Sequence, residues 1–515
     1  MTPSSFWNHA QANPEHVALI EPDGTEHTAG AVLSACNRVV HGLRTLGLGP
    51  GDTVAVVLEN SAPVLEVALA AGQAGIYITP VNHHLTAHEV AFILADCEAK
   101  AVVCSAEYAP LVSDAIARGD SDLPPEARFC VGGADGFRPY ADLKDHPDTT
   151  PENRLGGFVM TYTSGTTGRP RGVRRPFGEV PPDFLADNFT GFLKLFGIDP
   201  GGVHLVSSPL YHTAVINWSL YSLHFGATAV LMDKWSPEGT LERIQKHRVT
   251  HSHMVPTHFT RMLALPDDVR AGYDTSSITH LVHGAAPCPI PVKHAMLEWF
   301  GPVVYEYYAA SEGGGTTATP AQWLARPGTV GAPWPISTIR ILDDDLNLLE
   351  PGDIGTVWIR MGEHKFVYHG DEEKTQKAWN EGFFTVGDAG YLDEDGFLYL
   401  VDRKADMIIS GGVNIYPAEI ECELITHPDV VDCAVFGIPN EDWGEEVKAV
   451  VELRAGLTAD AAITEAILGF CRERIAGYKC PRSLDFVDEL PRDPNGKLYK
   501  RRLRDPYWEG RDRAI

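Results

Sequence analysis

The sequence predicts an α/β fold with a large N-terminal domain of mixed and parallel sheets, flanked by helices, and a small C-terminal domain. Short β-branched runs alternate with helical stretches on both sides of residue 160, and closely spaced β runs replace them after residue 336. Strands that alternate with helices indicate a largely parallel sheet. The 515 residues also exceed a single ordinary core, so we expect at least two domains.

The first strands and helices of the predicted α/β pattern lie before residue 160. Its strand candidates are residues 54–58, 101–104 and 158–160, with an alanine-rich helical stretch at 62–71. Thr86 and Glu89 form a capping-box pattern, and apolar residues recur behind it at helical spacing. Later strand candidates are residues 203–206, 228–232, 250–255, 280–283 and 303–307. Ligands collect at the carboxyl ends of such strands, where polar clusters stand in this sequence.

Residues 336–401 predict a small β-rich subdomain, since short β runs at 338–342, 355–360 and 397–401 are separated by acidic turns. A compact α+β unit follows. Pro417 suits the first turn of a helix, and strands at 430–436 and 448–453 precede a helix at 459–474. We therefore divide the chain into an N-terminal domain, 1–402, and a C-terminal domain, 403–515.

Composition narrows the class of protein. The formal net charge is −27 and the pI is about 5.1, which argues against nucleic acid as a partner. The nine cysteines form no CxxC pair and indicate reduced thiols in a cytoplasmic protein. No signal peptide and no apolar stretch of 18 residues is evident, so no transmembrane segment is expected. Histidines cluster at 83, 84 and 88, and at 251, 253 and 258. His84 and His88 are four residues apart, but Leu85 follows His84, so the HExxH zinc motif is absent and we expect no structural zinc.

The most informative stretch is a loop rich in glycine and hydroxyl side chains after the strand at 158–160. It comprises Thr163, Ser164, Gly165, Thr166, Thr167 and Gly168, and Arg171 follows closely. Glycines let consecutive N–H groups form a cradle for anions, and arginine suits phosphate. A Walker A loop is excluded, because Pro170 prevents the helix that such a loop begins. A plain surface loop remains the alternative, but it leaves the arginines unexplained.

Other polar clusters are ambiguous when each is taken alone. His212 follows one strand, and a lone histidine is more often structural than functional. Glu312 follows another beside a glycine run; it can hold Mg²⁺ or lie in a simple turn. Asp388 precedes an acidic hairpin and can bind ribose hydroxyls. Asn495-Gly496 predicts a turn that presents Lys497, with a solvated basic tail as the alternative.

Together these stretches resemble the adenylate-forming superfamily of acyl-CoA synthetases, peptide-synthetase adenylation domains and luciferases. The resemblance covers nearly the whole chain. Its markers are Thr163-Ser164-Gly165-Thr166-Thr167-Gly168-x-Pro-x-Gly, Tyr308-x-x-Ser311-Glu312, Gly387-Asp388, Asp402-Arg403, Gly411-Gly412-x-Asn414-Ile415 and Asn495-Gly496-Lys497. The order and spacing of the set are far more specific than any single marker.

The resemblance implies a large domain, a mobile C-terminal domain and an active site between them. A carboxylate would attack the α-phosphate of ATP to give acyl-AMP and pyrophosphate, and the thiol of CoA would then displace AMP. The loop from Thr163 to Gly168, with Arg171, would bind the β- and γ-phosphates, and Thr163 and Glu312 would hold Mg²⁺. The implied adenosine site is Gly284, Ala285, Ala286, Pro287, Tyr308, Asp388 and Arg403, with Ser311 at the α-phosphate.

Lys497 would bridge the carboxylate and α-phosphate oxygens in the first half-reaction. The C-terminal domain would then rotate at a hinge formed by Lys404 and Ala405. The residues implied for the CoA tunnel are Gly411, Gly412, Tyr478, Lys479 and Arg482. Three departures from the family pattern stand out: Arg171 replaces the usual lysine, Ala309 and Ser311 replace glycine and threonine, and Ala405 occupies the pivot.

The resemblance places His212, Trp218, Gly313, Gly314 and Gly315 around the acyl group. Three glycines leave space and no basic side chain is evident there. We therefore expect a medium- or long-chain fatty acid or a bulky alicyclic acid. The alternatives are an aryl-CoA ligase, a stand-alone enzyme that loads a carrier protein, and a non-enzymatic nucleotide-binding regulator. The sequence leaves open whether the chain forms a homodimer or contacts a membrane surface peripherally.

Overall fold

The computed structural model describes residues 4–119, 121, 123–163, 171–176, 178–310, 312–363, 365–403, 406–492 and 498–509. The strands, in chain order, are β1 Val17–Ile20, β2 Glu26–Thr28, β3 Thr53–Val57, β4 Tyr77–Pro80, β5 Ala99–Ser105, β6 Arg128–Val131, β7 Arg138–Pro139, β8 Phe158–Val159, β9 Thr161–Thr163, β10 Arg171–Arg174, β11 Val203–Val206, β12 Thr228–Leu231, β13 His251–Met254, β14 His280–His283, β15 Val304–Ala310, β16 Gly313–Ala318, β17 Ala332–Pro333, β18 Ser337–Leu342, β19 Gly355–Met361, β20 Val367–Tyr368, β21 Trp379–Asn380, β22 Phe383–Phe384, β23 Asp388–Leu392, β24 Leu398–Arg403, β25 Ile408–Ser410, β26 Val413–Ile415, β27 Val430–Asn440, β28 Gly444–Leu453 and β29 Ser483–Val487.

The α-helices are α1 Phe6–Ala12, α2 Ala29–Thr45, α3 Ala62–Ala74, α4 Ala87–Asp96, α5 Ala109–Arg118, α6 Tyr140–Leu143, α7 Pro182–Leu195, α8 Thr213–His224, α9 Pro237–His247, α10 Pro256–Leu263, α11 Asp267–Ala271, α12 Ile290–Phe300, α13 Pro320–Ala325, α14 Glu372–Ala378, α15 Pro417–Leu424, α16 Ala461–Arg472 and α17 Lys500–Arg504. Short 3₁₀ helices cover Pro125–Ala127 and Asp505–Trp508. The predicted capping box is present, since Thr86 and Glu89 each bind the other's backbone N–H at the start of α4.

Two large sheets form the N-terminal part. One has the order β17-β16-β15-β14-β13-β11-β12-β1-β2, and its inner strands from β1 to β15 pair in parallel. The other, β7-β6-β5-β3-β4-β8, is parallel throughout. Every residue of β3 is buried, as expected for a parallel strand covered on both faces. The predicted α/β fold class is confirmed.

Helices α2, α3 and α8 pack into one apolar core with residues from both sheets. Helix α3 is buried on nearly all sides, including Leu65, Val67 and Leu69, which explains its mostly apolar sequence. This core fixes α8 against the strands whose carboxyl ends form the site described below.

A β-rich subdomain follows, as residues 336–401 predict. Its sheet has the order β21-β22-β19-β23-β24, and β18 pairs with β19. A separate small sheet, β20-β10-β9, connects this region to the hairpin that carries the predicted phosphate loop. The last unit contains the sheet β26-β25-β28-β27, with β29 beside β28, and its own apolar core. The domain boundary at 402/403 falls at the end of β24 and stays a prediction.

Within the described residues, no helix is long and apolar enough to cross a membrane.

Candidate active site

A cleft of about 2190 Å³ separates the carboxyl ends of the central strands from the C-terminal unit. Its N-terminal wall comes from α7, α8, the loops after β11 and β14, and strand β15. Its C-terminal wall comes from α15 and from residues 498–502 and 504. The cleft therefore lies where open α/β sheets hold their ligands.

The loop after β14 forms one end of the cleft through Ala285, Ala286 and Pro287. Ala285 has a φ of 68°, a left-handed conformation that is costly for a residue with a Cβ. Gly284 permits a close approach, because an added Cβ would lie 2.8 Å from the carbonyl oxygen of Tyr307. The four residues predicted for adenine thus form a tight loop against β15.

Tyr308 and Asp388 meet at this same end. The Tyr308 hydroxyl donates a 2.6 Å hydrogen bond to Oδ2 of Asp388, which is 8% exposed. Both residues line the cleft. The phenol ring offers a stacking face and the carboxylate offers acceptors for hydroxyl groups, so the pair suits a nucleoside. The two residues stand 80 positions apart in the sequence and on different sheets.

A buried ion pair supports the strands behind this loop. The Nζ of Lys293 lies 2.6 Å from Oε2 of Glu306, and the lysine side chain is fully buried. Burial lowers the pKa of Lys293 and raises that of Glu306, and the attraction between them opposes both shifts. Removing one partner would leave an unpaired buried charge, so the pair holds α12 on β15.

Glu312 lies in the cleft just after β15, where Tyr368 of β20 donates a 2.7 Å hydrogen bond to its Oε1. A magnesium ion prefers one or two carboxylates together with phosphate oxygens and water. The donor set at Glu312 fits such an ion, which would neutralise charge on bound phosphates. Tyr368 was not predicted from the sequence, because 56 residues separate it from Glu312.

The predicted phosphate loop begins at the end of β9 and ends at the start of β10. Gly172 pairs with Tyr162 and Val173 with Thr161, so the chain continues as a strand and not as the helix of a Walker A motif. Thr213, at the start of α8, donates a 2.7 Å hydrogen bond to Thr161 Oγ1. Ser164, Gly165, Thr166, Thr167, Gly168, Ser311, Lys404, Ala405 and Lys497 lie outside the described residues. For Thr163, Arg171 and Arg403 only the strand positions are described.

The other end of the cleft is a wall of aromatic side chains. Phe192 of α7 is its centre, with ring centroids 5.3 Å from Trp218, 5.9 Å from Tyr221, 5.8 Å from Tyr307 and 5.3 Å from Trp334. These interlocked rings form a rigid apolar surface. Of the predicted acyl-pocket residues, Trp218 belongs to the wall, and His212, the N-cap residue of α8, also lines the cleft.

The glycine run has a different structural reason from the one we expected. Gly313, Gly314 and Gly315 begin strand β16, and among the described residues of the run only Gly313 lines the cleft. A Cβ on Gly314 would lie 2.5 Å from Ile359, and one on Gly315 would lie 2.0 Å from the Tyr308 carbonyl oxygen. Gly314 and Gly315 therefore allow close packing between strands and do not open the pocket.

A basic side chain that the sequence analysis did not name also lines the cleft. Arg175, just beyond β10, lines the cleft together with Asn217 and Tyr221 of α8. Its position depends on the hairpin that carries the phosphate loop, and no local pattern in the sequence signals it.

On the C-terminal wall, the residues that follow Lys497 line the cleft. Lys500 lies 2.8 Å from Oε1 of Glu421, and Asp402 accepts a 2.9 Å hydrogen bond from the N–H of Ala418 at the start of α15. Burial lowers the pKa of Lys500, but the carboxylates of Glu421, Asp402 and Asp406 raise it by more, so Lys500 carries a charge at neutral pH.

The residues predicted for the CoA tunnel are outside the cleft lining. Gly411 and Gly412 form the two-residue turn between β25 and β26, with φ values of 59° and 80°. The Gly411 N–H binds the carbonyl of Trp443, whose ring lies 4.5 Å below the guanidinium of Arg482. Lys479 pairs with Glu419 at 2.7 Å, and Tyr478 is 49% exposed.

Comparison with known proteins agrees with this arrangement. The AMP-binding enzyme family model matches residues 6–364, and the model of the AMP-binding enzyme C-terminal domain matches residues 419–497. The chain belongs to the AMP-binding enzyme family. The resemblance stated from the sequence is thereby confirmed, and the protein is an acyl-CoA-synthetase-like, AMP-forming ligase of the adenylate-forming superfamily.

Individual relatives extend over nearly the whole chain. The feruloyl-CoA synthase of an Amycolatopsis species is 33% identical over 491 residues, covering 95% of this chain and 96% of that protein. The long-chain-fatty-acid–CoA ligase FadD13 of Mycobacterium tuberculosis is 32% identical over 508 residues, with 97% of each chain covered. The crystal structure of the anthranilate CoA ligase AuaEII with anthranoyl-AMP has the same fold, with a TM-score of 0.85, 24% identity and 98% of each chain covered.

As an adenylate-forming CoA ligase, the enzyme uses ATP, CoA and a carboxylic acid as its substrates. Here the flank of Lys497 lines the cleft and the Gly411-Gly412 turn does not.

Proposed function

We propose that this ligase converts a bulky, ring-bearing carboxylic acid to its CoA thioester through an acyl-AMP intermediate. The observation that carries the proposal is the aromatic wall centred on Phe192, which adjoins the nucleotide end of the cleft. Tyr307 belongs to the wall and Tyr308, the next residue, binds Asp388. Strand β15 therefore connects the place for the acid to the place for the nucleoside.

In the first half-reaction, a carboxylate oxygen of the acid attacks the α-phosphorus of ATP. The bond from that phosphorus to the bridging oxygen breaks, and pyrophosphate leaves with the electron pair. Tyr308 and Asp388 would hold the adenosine, and the loop from Thr163 to Gly168 would hold the departing phosphates. Lys497 would neutralise charge between the two reacting groups, since positioning and electrostatic stabilisation dominate such displacements.

Magnesium bound at Glu312 would supply charge neutralisation for the phosphates. Tyr368 orients the carboxylate for this role, because its hydroxyl occupies one side of Oε1. Arg171 would add a planar guanidinium at the end of the phosphate loop, where a lysine would offer a point charge.

In the second half-reaction, the sulfur of CoA attacks the acyl carbon and AMP leaves. A free thiol with a pKa of about 8.5 is ionised to a few per cent at neutral pH, so we assign no dedicated base. The C-terminal domain would rotate about Lys404 and Ala405 and bring the Gly411-Gly412 turn to the cleft. Tyr478, Lys479 and Arg482 would then meet CoA.

The aromatic side chains of the wall favour a substrate with rings over one with a straight alkyl chain. Edge-to-face contacts fix the aromatic side chains at defined angles, and flat rings of a substrate pack well on such faces. The acid class therefore includes bulky alicyclic acids and aromatic acids. Among the relatives, the one named feruloyl-CoA synthase fits an aromatic acid, whereas the one named long-chain-fatty-acid–CoA ligase fits a straight alkyl chain.

The experiment is a panel of acids assayed for ATP-dependent pyrophosphate release, with CoA consumption measured in parallel. We expect alicyclic and aromatic acids to exceed acetate and straight-chain fatty acids of similar carbon number by at least tenfold in kcat/KM. A preference for acetate or for a fatty acid would contradict the substrate class. Pyrophosphate release without consumption of free CoA would indicate an acceptor other than CoA, such as a carrier protein.

A further inference from the structure

A second, small cavity of about 50 Å³ lies directly behind the acyl end of the cleft. The described residues that line both spaces are Arg175, Leu185, Phe189, Thr213, Asn217 and Tyr221. A wall one side chain thick therefore separates the small cavity from the cleft. With the acid placed as in the proposed function, this wall would be the end of its space remote from the reacting carboxyl.

The wall contains polar groups in otherwise apolar surroundings. Arg175 and Tyr221 line the same end of the cleft. Burial raises the pKa of the Tyr221 hydroxyl, and the nearby positive charge of Arg175 opposes that rise. Within the described part of the chain, no aspartate or glutamate forms an ion pair with Arg175. Among those same residues, the side-chain amide of Asn217 also has no hydrogen-bond partner. The guanidinium, the amide and the phenol thus line one end of the cleft, beside the rings of Phe189 and Phe192.

The position of Arg175 separates it from the phosphate loop. Strand β10 runs away from that loop, and Arg175 is four residues beyond Arg171. At about 3.3 Å per residue, the two backbone positions are about 13 Å apart. That distance leaves room for a ring-bearing body between the reacting carboxyl and Arg175.

The neighbouring Arg174 differs from Arg175 in the direction of its side chain. Arg174 points elsewhere, because its guanidinium lies 4.4 Å from the Tyr77 ring and donates a 2.8 Å hydrogen bond to the Gly51 carbonyl. Arg174 does not line the cleft among its described residues. Adjacent residues diverge as expected along an extended chain, and only the second of the two arginines faces the substrate space.

We propose that Arg175, with Asn217 and Tyr221, binds a second carboxylate at the end of the acid remote from the reacting carboxyl. Arg175 is half-buried and faces the cleft, so a carboxylate on the substrate would supply an ion-pair partner for it there. A guanidinium forms two parallel hydrogen bonds to a carboxylate, which fixes the orientation of the acid. This inference rests on the proposed function, and it narrows the substrate class to ring-bearing dicarboxylic acids.

The test compares two acids with the same ring skeleton. One is a phenylpropanoic acid with a para carboxymethyl group, and the other is its methyl ester at that remote carboxyl. The wild-type enzyme should favour the diacid by at least tenfold in kcat/KM. Arg175→Leu should lower kcat/KM for the diacid by at least tenfold, mainly through KM, and leave the ester within twofold.

Two further variants keep the test decisive if Arg175→Leu fails to fold. Arg175→Lys keeps the charge but loses the planar fork, and Tyr221→Phe keeps the ring but loses the hydroxyl. Both should lower kcat/KM for the diacid by a larger factor than for the ester. Arg118→Leu is the matched control, because Arg118 is exposed, pairs with Asp114 at 3.1 Å and lies far from the cleft lining.

The outcomes separate this inference from the proposed function. If the wild-type enzyme uses the ester as well as the diacid, or if Arg175→Leu weakens both equally, the second carboxylate is excluded while the ligase function stands. If no acid of the panel releases pyrophosphate, the proposed function itself fails, and this inference fails with it.

Discussion

Tyr308 donates its hydroxyl hydrogen to Oδ2 of Asp388 over 2.6 Å, and this bond joins the central sheet to the β-rich subdomain at the nucleotide end of the cleft. Tyr308→Phe keeps the ring for stacking and removes the bond. We expect the KM for ATP to rise about fivefold, equivalent to about 1 kcal/mol, with kcat little changed. Steady-state pyrophosphate release with ATP varied measures this.

The control for that variant is Tyr305→Phe on the same strand. Tyr305 stacks on His280 at 4.8 Å and is not part of the cleft lining. An equal rise in the KM for ATP in both variants would show that a general disturbance of β15 is responsible, and it would remove the argument for a nucleoside site at Tyr308.

Lys497→Ala should separate the two half-reactions. We expect acyl-AMP formation to fall at least a hundredfold, because the positive charge between carboxylate and α-phosphate is lost. Thioester formation from supplied acyl-AMP and CoA should stay within about threefold of wild type, since the proposed mechanism assigns that step to the other face of the C-terminal domain. Isotope-labelled ATP–pyrophosphate exchange measures the first step, and unchanged exchange would refute the role of Lys497.

Lys500→Met tests whether the Glu421 contact positions the segment that bears Lys497. Lys500 follows Lys497 by three residues and lies 2.8 Å from Glu421, so we expect adenylation to fall about tenfold. A positioning role predicts that kcat falls more than the KM for ATP, and that thioester formation from supplied acyl-AMP is retained. Lys377→Met, which breaks an exposed ion pair with Glu373 on α14, is the control. Equal loss in both half-reactions would instead indicate misfolding.

Buried histidines predict acid sensitivity. Burial lowers the pKa of His224, His251, His253 and His258 to about 3. Because these folded-state values lie below the unfolded value of about 6.5, the unfolded chain binds more protons between pH 6.5 and 3. The free energy of unfolding therefore falls as the pH drops below about 6.5, by up to about 1.4 kcal/mol per pH unit for each histidine.

His258→Phe measures one of these contributions. His258 stacks on Trp235 at 4.3 Å, and phenylalanine keeps that stacking without a titrating group. Urea unfolding at a series of pH values should show a slope smaller by about one proton than in the wild type. His88→Gln, at an exposed position of α4, serves as the control. A wild-type urea midpoint that does not change between pH 7 and 5 would contradict the expectation.

Much of the fold could be predicted from the sequence because its signals are local. The runs at 203–206 and 280–283 coincide with β11 and β14, and the capping box at Thr86 is present as written. Nearest-neighbour chemistry decides such features. The glycines after Glu312 misled us because their cause is not local. Gly315 is required by the carbonyl of Tyr308, a contact across a strand pair.

The site could be predicted only where the family resemblance supplies it. The side chains of Tyr368, Asn217 and Arg175 enter the cleft through pairings between distant segments, and nothing around them in the sequence indicates a ligand. The orientation of the C-terminal unit could not be predicted from the sequence either, because one sequence is compatible with more than one orientation of that unit.

The position of the Gly411-Gly412 turn, outside the cleft lining, has a kinetic consequence. If the route for the thiol is assembled only after adenylation, pyrophosphate leaves before CoA enters, and the free enzyme has no productive complex with CoA. Initial rates measured without added pyrophosphate should then give parallel double-reciprocal lines when ATP is varied at several CoA concentrations. Added pyrophosphate should make the lines converge, because it reconnects the two halves of the reaction cycle.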